Sequence, residues 1–320
     1  MKKLNKLFLV LLSLFVLAPT ISKASKEGQS AFIYGAGLSE DQIRSVKESL
    51  KVSQDEENIA SVRGEDIQRY LGYYTEDYNL ISSAKLVKKP QGSGVKVDIL
   101  TPENINEITE SQYTNAAITA GITDADISIA SPIPVTGESA LTGVYKAVEL
   151  MGGEIDSQRT QVAQEEIGSL KKISDENEDN PSFDTGKLDQ AVAEVKGKLQ
   201  EYKEENGQTA DTNQIKVYIE DALNNVNMGD ILSNNNIEIL INYFEKYQES
   251  SAIDSEEVKE NLKQFAKDFG QKGKKFYEDN KDEIDKVGKD IKESGLLDKI
   301  IAFFKDLFNS IFASSENAEN

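Results

Sequence analysis

The sequence predicts an α+β protein in which a mixed α/β layer domain precedes an all-helical C-terminal region. Strand-like and helix-like segments alternate over residues 28–153, whereas strand signals disappear from Glu154 onward and apolar residues recur at helical spacing through residues 154–313. The length of 320 residues suits two domains, and 38% hydrophobic residues are enough for a packed core.

The first two strand–helix pairs are short and have clear boundaries. A strand is predicted at residues 31–35, and the capping-box pair Ser39 and Gln42 opens the helix that follows it. A second strand at residues 58–62 precedes a short helix at residues 66–71. This order indicates a layered domain rather than a helical bundle.

Two β-rich runs follow, over residues 80–87 and 95–100. The segment 90–94 between them contains two glycines, and a connection of this kind predicts a β-hairpin. In the second run, Lys96 and Asp98 alternate with apolar residues, which predicts a strand with one solvated face.

The domain ends with a helix, a strand and a second helix. Thr109 and Gln112 form a second capping box, and Gly121 stands where a helix-ending glycine is expected. A strand over residues 126–133 ends in prolines, and residues 141–148 have helical spacing.

Residues 154–313 predict a helical array, with a polar, acidic, linker-like segment at 175–184. The most apolar helix is predicted at residues 295–310, and a polar tail follows at 314–320. Four earlier amphipathic faces are predicted within residues 188–199, 215–226, 237–244 and 258–269.

Residues 1–24 have the pattern of a cleavable signal peptide. Lysines precede the apolar run 7–18, which is too short to span a bilayer as a helix. Ser22 and Ala24 supply the small residues of a cleavage site before Ser25. We therefore predict a secreted or cell-wall-associated protein with no membrane span after signal removal; an uncleaved anchor is the alternative.

The composition excludes several functions. The net charge is −20, and removal of the lysine-containing leader would make it more negative, so nucleic acid is not an expected partner. With no His and no Cys, the chain cannot build Ser-His-Asp or Cys-His sites, or zinc sites with His or Cys ligands. Carboxylate, Ser-Lys and tyrosine chemistry remain, as do oxygen-ligated cations, so no cofactor is expected except calcium.

Four segments of the first half resemble a known family, the secreted Gram-positive proteins catalogued as domain of unknown function 1002. The segments are residues 34–39, 92–94, 113–121 and 130–143. The resemblance covers residues 34–150, while the helical half is similar in length and character. It implies an exported protein with a mixed domain and a helical remainder, and it carries no known activity or catalytic residues.

The strand–helix junction after residue 131 is the candidate ligand-binding loop. Such a junction presents free backbone N–H groups and the positive end of a helix dipole, which can hold an anion or a carboxylate. The alternative is a well-capped helix whose hydroxyls bond their own backbone. A serine nucleophile elbow is excluded, because Leu141 replaces its second glycine and no His is present. The candidate residues are Thr136, Gly137, Glu138, Ser139 and Thr142.

Asp175, Asn177 and Asp179 match the first three ligand positions of a calcium loop. Pro181 and Gly186 depart from that pattern, the latter at the position of the bidentate glutamate. The segment is therefore a weak calcium candidate, with a solvated acidic linker as the alternative.

A group of tyrosines at Tyr70, Tyr73, Tyr74 and Tyr78 lies close to acidic residues. Aromatic rings beside carboxylates are typical of sugar-binding clefts, and tyrosines packed at a domain edge are the alternative.

These observations favour a non-enzymatic binding or interaction protein of the cell envelope or exterior, with an envelope component or another protein as partner. The alternative is a carboxylate-dependent hydrolase or lyase of cell-wall glycan, for which Glu138 with Asp124 or Asp126 would be the carboxylate pair.

Overall fold

The computed structural model describes residues 28–105 and 107–279. The predicted signal peptide (1–24), final helix (295–310) and polar tail (314–320) lie outside the described residues. Five strands are present in the described part: β1 (Ser30–Gly35), β2 (Ile59–Val62), β3 (Ser83–Lys88), β4 (Val95–Ile99) and β5 (Ala125–Ala130).

The strands form one mixed sheet in the order β2-β1-β3-β5-β4. β1 is parallel to β2, β4 is parallel to β5, and β3 is antiparallel to both of its neighbours, β1 and β5. The four mutually parallel strands therefore all end at one edge of the sheet, the carboxyl edge, and begin at the opposite amino edge.

Four helices follow these four strands, which confirms the predicted alternation. They are α1 (Glu40–Ser49), α2 (Gly64–Leu71), α3 (Glu110–Thr119) and α4 (Glu138–Leu150). Both predicted capping boxes are formed: the side chains of Ser39 and Thr109 accept from the backbone of Gln42 and Gln112, whose own side chains bond back. All four helices begin at the carboxyl edge.

The predicted hairpin between β3 and β4 is wrong, because β5 lies between them. The connecting segment bonds instead to the start of β5: Lys89 N donates to Asp124 O at 2.7 Å, and Ala125 N donates to Gly94 O at 3.0 Å. A glycine-containing loop can reverse the chain whether the two strands that it joins are adjacent or are separated by a third strand. The apolar side chains of β5 decide the pairing, since Ile127 is 1% exposed in the middle of the sheet.

The two faces of the sheet are covered differently. α1 packs on one face, where Val46 and Leu50 contact Phe32 of β1 in a small core. The other face carries the main core of the first half, formed with α2, α3 and α4. The alternation predicted for β4 is confirmed, since Val97 is buried in that core and Lys96 is exposed.

Helices dominate after residue 154, as predicted. α5 (Ser157–Glu176) lies outside the four amphipathic faces that the sequence predicts. α9 (Glu256–Asp279) continues past Gly270 and Gly273, where the sequence predicts a weaker helix. The two largest cores share helices: Ile167 of α5 packs with the sheet, and Ile118 of α3 packs with the helices. The helices after α5 are α6 (Thr185–Asn206), α7 (Thr212–Asn225), α8 (Asn234–Glu249) and α9 (Glu256–Asp279).

Within the described residues, none of the helices combines the length and the apolar character that crossing a bilayer requires.

Candidate functional site

The five candidate loop residues lie together at the start of α4, on the carboxyl edge. Gly137 is the N-cap and has φ 102°, a conformation that favours glycine. Its carbonyl oxygen accepts a hydrogen bond of 2.9 Å from the Tyr113 hydroxyl. The Ser139 hydroxyl is buried and lies 2.7 Å from that of Ser82, which also accepts from Ala140 N at 2.9 Å. The loop therefore turns its central hydroxyl inward.

The remaining three residues differ in their access to solvent. Thr142 is buried, and its Oγ1 has no hydrogen-bond partner among the described residues. Glu138 is partly exposed and accepts a bond of 3.2 Å from Gln164 Nε2. Thr136 is exposed. Ligand binding by this loop stays a prediction, and a ligand would meet Thr136 and Glu138 there.

The three calcium candidates do not surround a common point. Asp175 lies inside α5, and its carboxylate pairs with Lys171 at 2.7 Å. Asn177 donates its side-chain amide to Ile173 O at 2.7 Å, whereas Asp179 is an exposed turn residue. In the described part of the chain, no group of three or more acidic side chains is placed to hold a metal ion. Calcium binding stays a prediction.

The carboxylates proposed for a glycan hydrolase lie at opposite ends of β5. Glu138 follows β5 on the carboxyl edge, whereas Asp124 and Asp126 lie at its start on the amino edge. A six-residue strand spans about 16–20 Å, well beyond the 5–9.5 Å that a carboxylate pair requires. Asp126 also forms an ion pair with Lys89 at 3.0 Å. No observation favours this alternative.

Exposed apolar side chains concentrate on the carboxyl edge. Among the described residues, eight large apolar side chains are exposed, and five of them belong to the loops of this edge. Tyr78 is 71% exposed and Tyr74 is 55% exposed, far more than a residue retained for core packing. The five are Tyr73, Tyr74, Tyr78, Leu100 and Ile133.

The tyrosines are held in place by the segment 72–79, which crosses the starts of the neighbouring helices. Asp77 accepts from Gly64 N at 2.8 Å, and the Tyr74 ring lies so close to Gly64 that a Cβ there would be 2.8 Å from it. The backbone of Tyr78 is equally close to Gly37. These glycines allow the segment to pack directly on backbone, so the exposed rings project from a fixed base.

Carboxylates accompany the rings. Electrostatic repulsion from the Glu76 carboxylate raises the pKa of the Tyr74 hydroxyl, and burial together with Glu138 raises the pKa of the Tyr73 hydroxyl. Glu138 thus lies near Tyr73, and Glu76 lies near Tyr74. The surface thus combines aromatic faces with hydrogen-bonding groups, and both hydroxyls remain protonated at neutral pH.

A family model described as a protein of unknown function, DUF1002, matches residues 34–265. The chain belongs to the DUF1002 family. The match extends beyond residues 34–150, where the sequence motifs lie, and includes α5 to α8 and the start of α9. One curated relative, the "Uncharacterized protein YpuA" of Bacillus subtilis (strain 168), is 29% identical over 319 residues, covering 97% of this chain and 98% of its own length. No solved structure matches the chain.

Sequence reasoning missed a buried ion pair at the centre of this DUF1002 chain. Lys196 of α6 and Glu166 of α5 have fully buried side chains, and Lys196 Nζ lies 2.7 Å from both carboxylate oxygens. The Thr119 hydroxyl donates to Glu166 at 3.0 Å, and the Tyr243 hydroxyl donates to it at 2.8 Å. The cluster therefore joins α3, beside the sheet, to three helices of the second half.

A signal for half of this cluster was present in the sequence. Lys196 follows Val192 by four residues and precedes Leu199 by three, so it stands inside the apolar face of its helix. A lysine in that position predicts a buried partner or a long side chain that reaches solvent. The partner, Glu166, could not be identified because α5 was not recognised as a separate amphipathic helix.

A second buried ionisable group in this DUF1002 chain is the carboxyl group of Asp189 in α6, which lies against the start of α3. Asp189 is fully buried, and its Oδ2 accepts hydrogen bonds from the hydroxyls of Thr109, at 3.0 Å, and Ser111. Burial raises the pKa of Asp189 from 3.8 to about 7, and the two hydroxyls oppose that shift.

Asp189 makes the stability of the protein depend on pH. Because the folded protein retains a proton at Asp189 between pH 3.8 and about 7 that the unfolded chain releases, the free energy of unfolding falls as pH rises through this range. We expect this residue to lower stability at pH 8 relative to pH 5 by about 2–3 kcal/mol. Urea denaturation of the wild type and Asp189→Asn at both pH values measures the effect.

The substitution Asp189→Asn should remove that part of the pH dependence. Asp230→Asn is the matched control, since Asp230 is exposed on the loop after α7. An identical pH dependence in wild type, Asp189→Asn and Asp230→Asn would show that Asp189 titrates alike in the folded and unfolded states.

Proposed function

We propose that this DUF1002 chain is an exported, non-enzymatic binding protein of the cell envelope, and that the carboxyl edge of the sheet is its binding face. The observation that carries the proposal is the concentration of exposed apolar side chains there, five of the eight in the described residues. Exposed apolar side chains that cluster on one surface mark interaction sites more often than isolated exposed apolar side chains do. Export is supported by the leader-like pattern of residues 1–24.

The position of the face in the fold supports the same proposal. In sheets built from parallel strands, ligands bind beyond the carboxyl ends of the strands, where loops leave the rigid framework. The segment 72–79 and the candidate loop around Gly137 both lie there, and the Glu138 carboxylate is close enough to Tyr73 to raise the pKa of its hydroxyl.

The dimensions and chemistry of the face favour an extended carbohydrate. The exposed side chains reach from Tyr74, whose ring lies against Gly64 just after the edge strand β2, to Leu100, the first residue beyond the other edge strand, β4. Sheet strands lie about 4.8 Å apart, so a face across the five strands is about 19 Å long. Tyrosine rings stack on the apolar faces of sugar rings, while their hydroxyls and the neighbouring Glu76 and Glu138 bond the sugar hydroxyls. The candidate ligands are therefore wall polysaccharides and muropeptide glycan.

Isothermal titration with soluble wall polysaccharide fragments and muropeptides tests the proposal. The double variant Tyr74→Ala/Tyr78→Ala should bind at least about tenfold more weakly, because each ring contributes stacking and buried apolar area. Val217→Ala is the matched control: Val217 is a similarly exposed apolar residue on α7, away from the face.

Unchanged binding by the tyrosine double variant would contradict the assignment of the face, and the absence of binding to every wall fragment would contradict the envelope role. Release of shortened glycan products would contradict the non-enzymatic role. Recovery of the chain outside the membrane, with its N-terminus at Ser25, tests export.

A further inference from the structure

A large cleft lies at the amino edge of the sheet, opposite the carboxyl edge that forms the proposed binding face. It has a volume of about 730 Å³, within the range of small-molecule sites. One wall is the amino edge, with the end of β3 and the loop that follows it, and the other wall is the first two turns of α9. The cleft therefore joins the two halves of the chain.

The sheet wall is fixed by hydrogen bonds and carries two lysines beside Asp124. Asp124 holds the loop before β4 in place, since its Oδ1 accepts from Gly94 N at 3.1 Å and its carbonyl accepts from Lys89 N at 2.7 Å. Lys88 and Lys89 line this wall. Lys89 pairs with Asp126 at 3.0 Å, whereas Lys88 has no ion pair among the described residues. Lys88 is thus the cation available to a ligand.

The α9 wall carries negative charge and an unmatched acceptor. Glu256, Glu257 and Glu260 line it, and all three are exposed. Glu260 pairs with Lys263 at 3.1 Å and Glu256 pairs with Lys259 at 4.0 Å, so Glu257, which has no ion pair among the described residues, is the carboxylate available to a ligand. Beside them, Asn261 is only 8% exposed. Its Nδ2 donates to Glu257 O at 2.8 Å, but its Oδ1 has no hydrogen-bond partner among the described residues. A buried acceptor without a donor is costly, and a ligand N–H would satisfy it.

We propose that this cleft binds a short peptide with free termini. The carboxylate end pairs with Lys88, the ammonium end pairs with Glu257 of α9, and a peptide N–H donates to Asn261 Oδ1. A peptide matches these features better than a simple ion, because the opposed walls require a ligand with separated charges of both signs. The site is independent of the binding face on the carboxyl edge.

Three forms of one peptide separate the contributions. Isothermal titration at low ionic strength compares trialanine, N-acetyl-trialanine and trialanine amide with the full chain. Trialanine should bind at least about tenfold more tightly than either capped form, since each cap removes one charge that a wall of the cleft would contact. Equal binding of all three forms, or no binding of trialanine at millimolar concentration, would overturn the proposal.

Two variants then show which wall of the cleft binds each end of the peptide. In Lys88→Met, trialanine and its amide should bind equally, while the acetylated form remains weaker. In Glu257→Gln, the preference for a free ammonium group should shrink, while the preference for a free carboxylate remains. Both residues are solvent-accessible, and Lys216→Met on α7 is the control for loss of a partly exposed lysine. If Lys88→Met discriminates among the peptides as Lys216→Met does, the assignment of the carboxylate end is wrong.

Discussion

Replacing Lys196 by methionine is expected to lower the free energy of unfolding by about 3–5 kcal/mol, since it leaves the Glu166 carboxylate buried without a cation. Thr119 and Tyr243 each donate one hydrogen bond to that carboxylate, and neither supplies a positive charge. Urea denaturation followed by circular dichroism measures the loss at neutral pH.

Two comparisons distinguish a charge effect from a packing effect. The double variant Lys196→Met/Glu166→Gln removes both charges and retains hydrogen bonding to Tyr243, so it should recover at least half of the lost stability. Lys246→Met is the matched control, because Lys246 forms a 2.6 Å pair with Glu165 in which both side chains are about half exposed. That loss should stay below about 1 kcal/mol. Equal losses for the buried and exposed lysines would contradict the prediction.

Replacing Gly137 by alanine is expected to destabilise the protein by about 2–5 kcal/mol, which combines backbone strain at positive φ with overpacking. A Cβ at this position would lie 2.1 Å from the Tyr113 hydroxyl oxygen and 3.2 Å from Ile105. Both neighbours are buried, so neither can move freely. Chemical denaturation measures the total cost.

Two further variants separate the strain from the clash. Gly92→Ala has a comparable positive φ of 82°, but the added Cβ would have no described atom within 4 Å, so it should cost only about 1–2 kcal/mol. Tyr113→Phe removes the clashing oxygen together with its hydrogen bond to Gly137. The double variant Gly137→Ala/Tyr113→Phe should therefore lose less than the sum of the single losses. Additive losses would show that the two residues do not compete for space.

Local signals in the sequence were sufficient for the elements of the first half. Both capping boxes form as predicted, because each depends on contacts within four residues of Ser39 or Thr109. The alternating burial along β4 is also local in origin. The pairing of β4 is not local: each of its residues pairs with a residue of β5 that lies 30 positions further along the chain, and a turn-like loop does not specify which strand will lie beside β4.

The candidate sites show the same division. The sequence placed Gly137 and its neighbours at a strand–helix junction, which the structure confirms. It could not show that the Ser139 hydroxyl turns inward to Ser82, since these residues are 57 positions apart. The same holds for the ion pair of Lys196, whose partner lies 30 positions away on another helix. The sequence groups four tyrosines, but Tyr70 is buried and donates to Glu149 at 2.6 Å, so only the other three are exposed. Their meeting with Leu100 and Ile133 on one edge depends on the strand order.

The position of β5 has a consequence for the order in which the sheet forms. β3 and β4 precede residues 125–130 in the chain, and they are joined by a loop suited to a hairpin. Before β5 forms, the unpaired edge of β3 and the unpaired edge of β4 are available to each other. The native sheet therefore requires β5 to pair between these two strands, so it closes through contacts of long sequence separation rather than by extension of a hairpin.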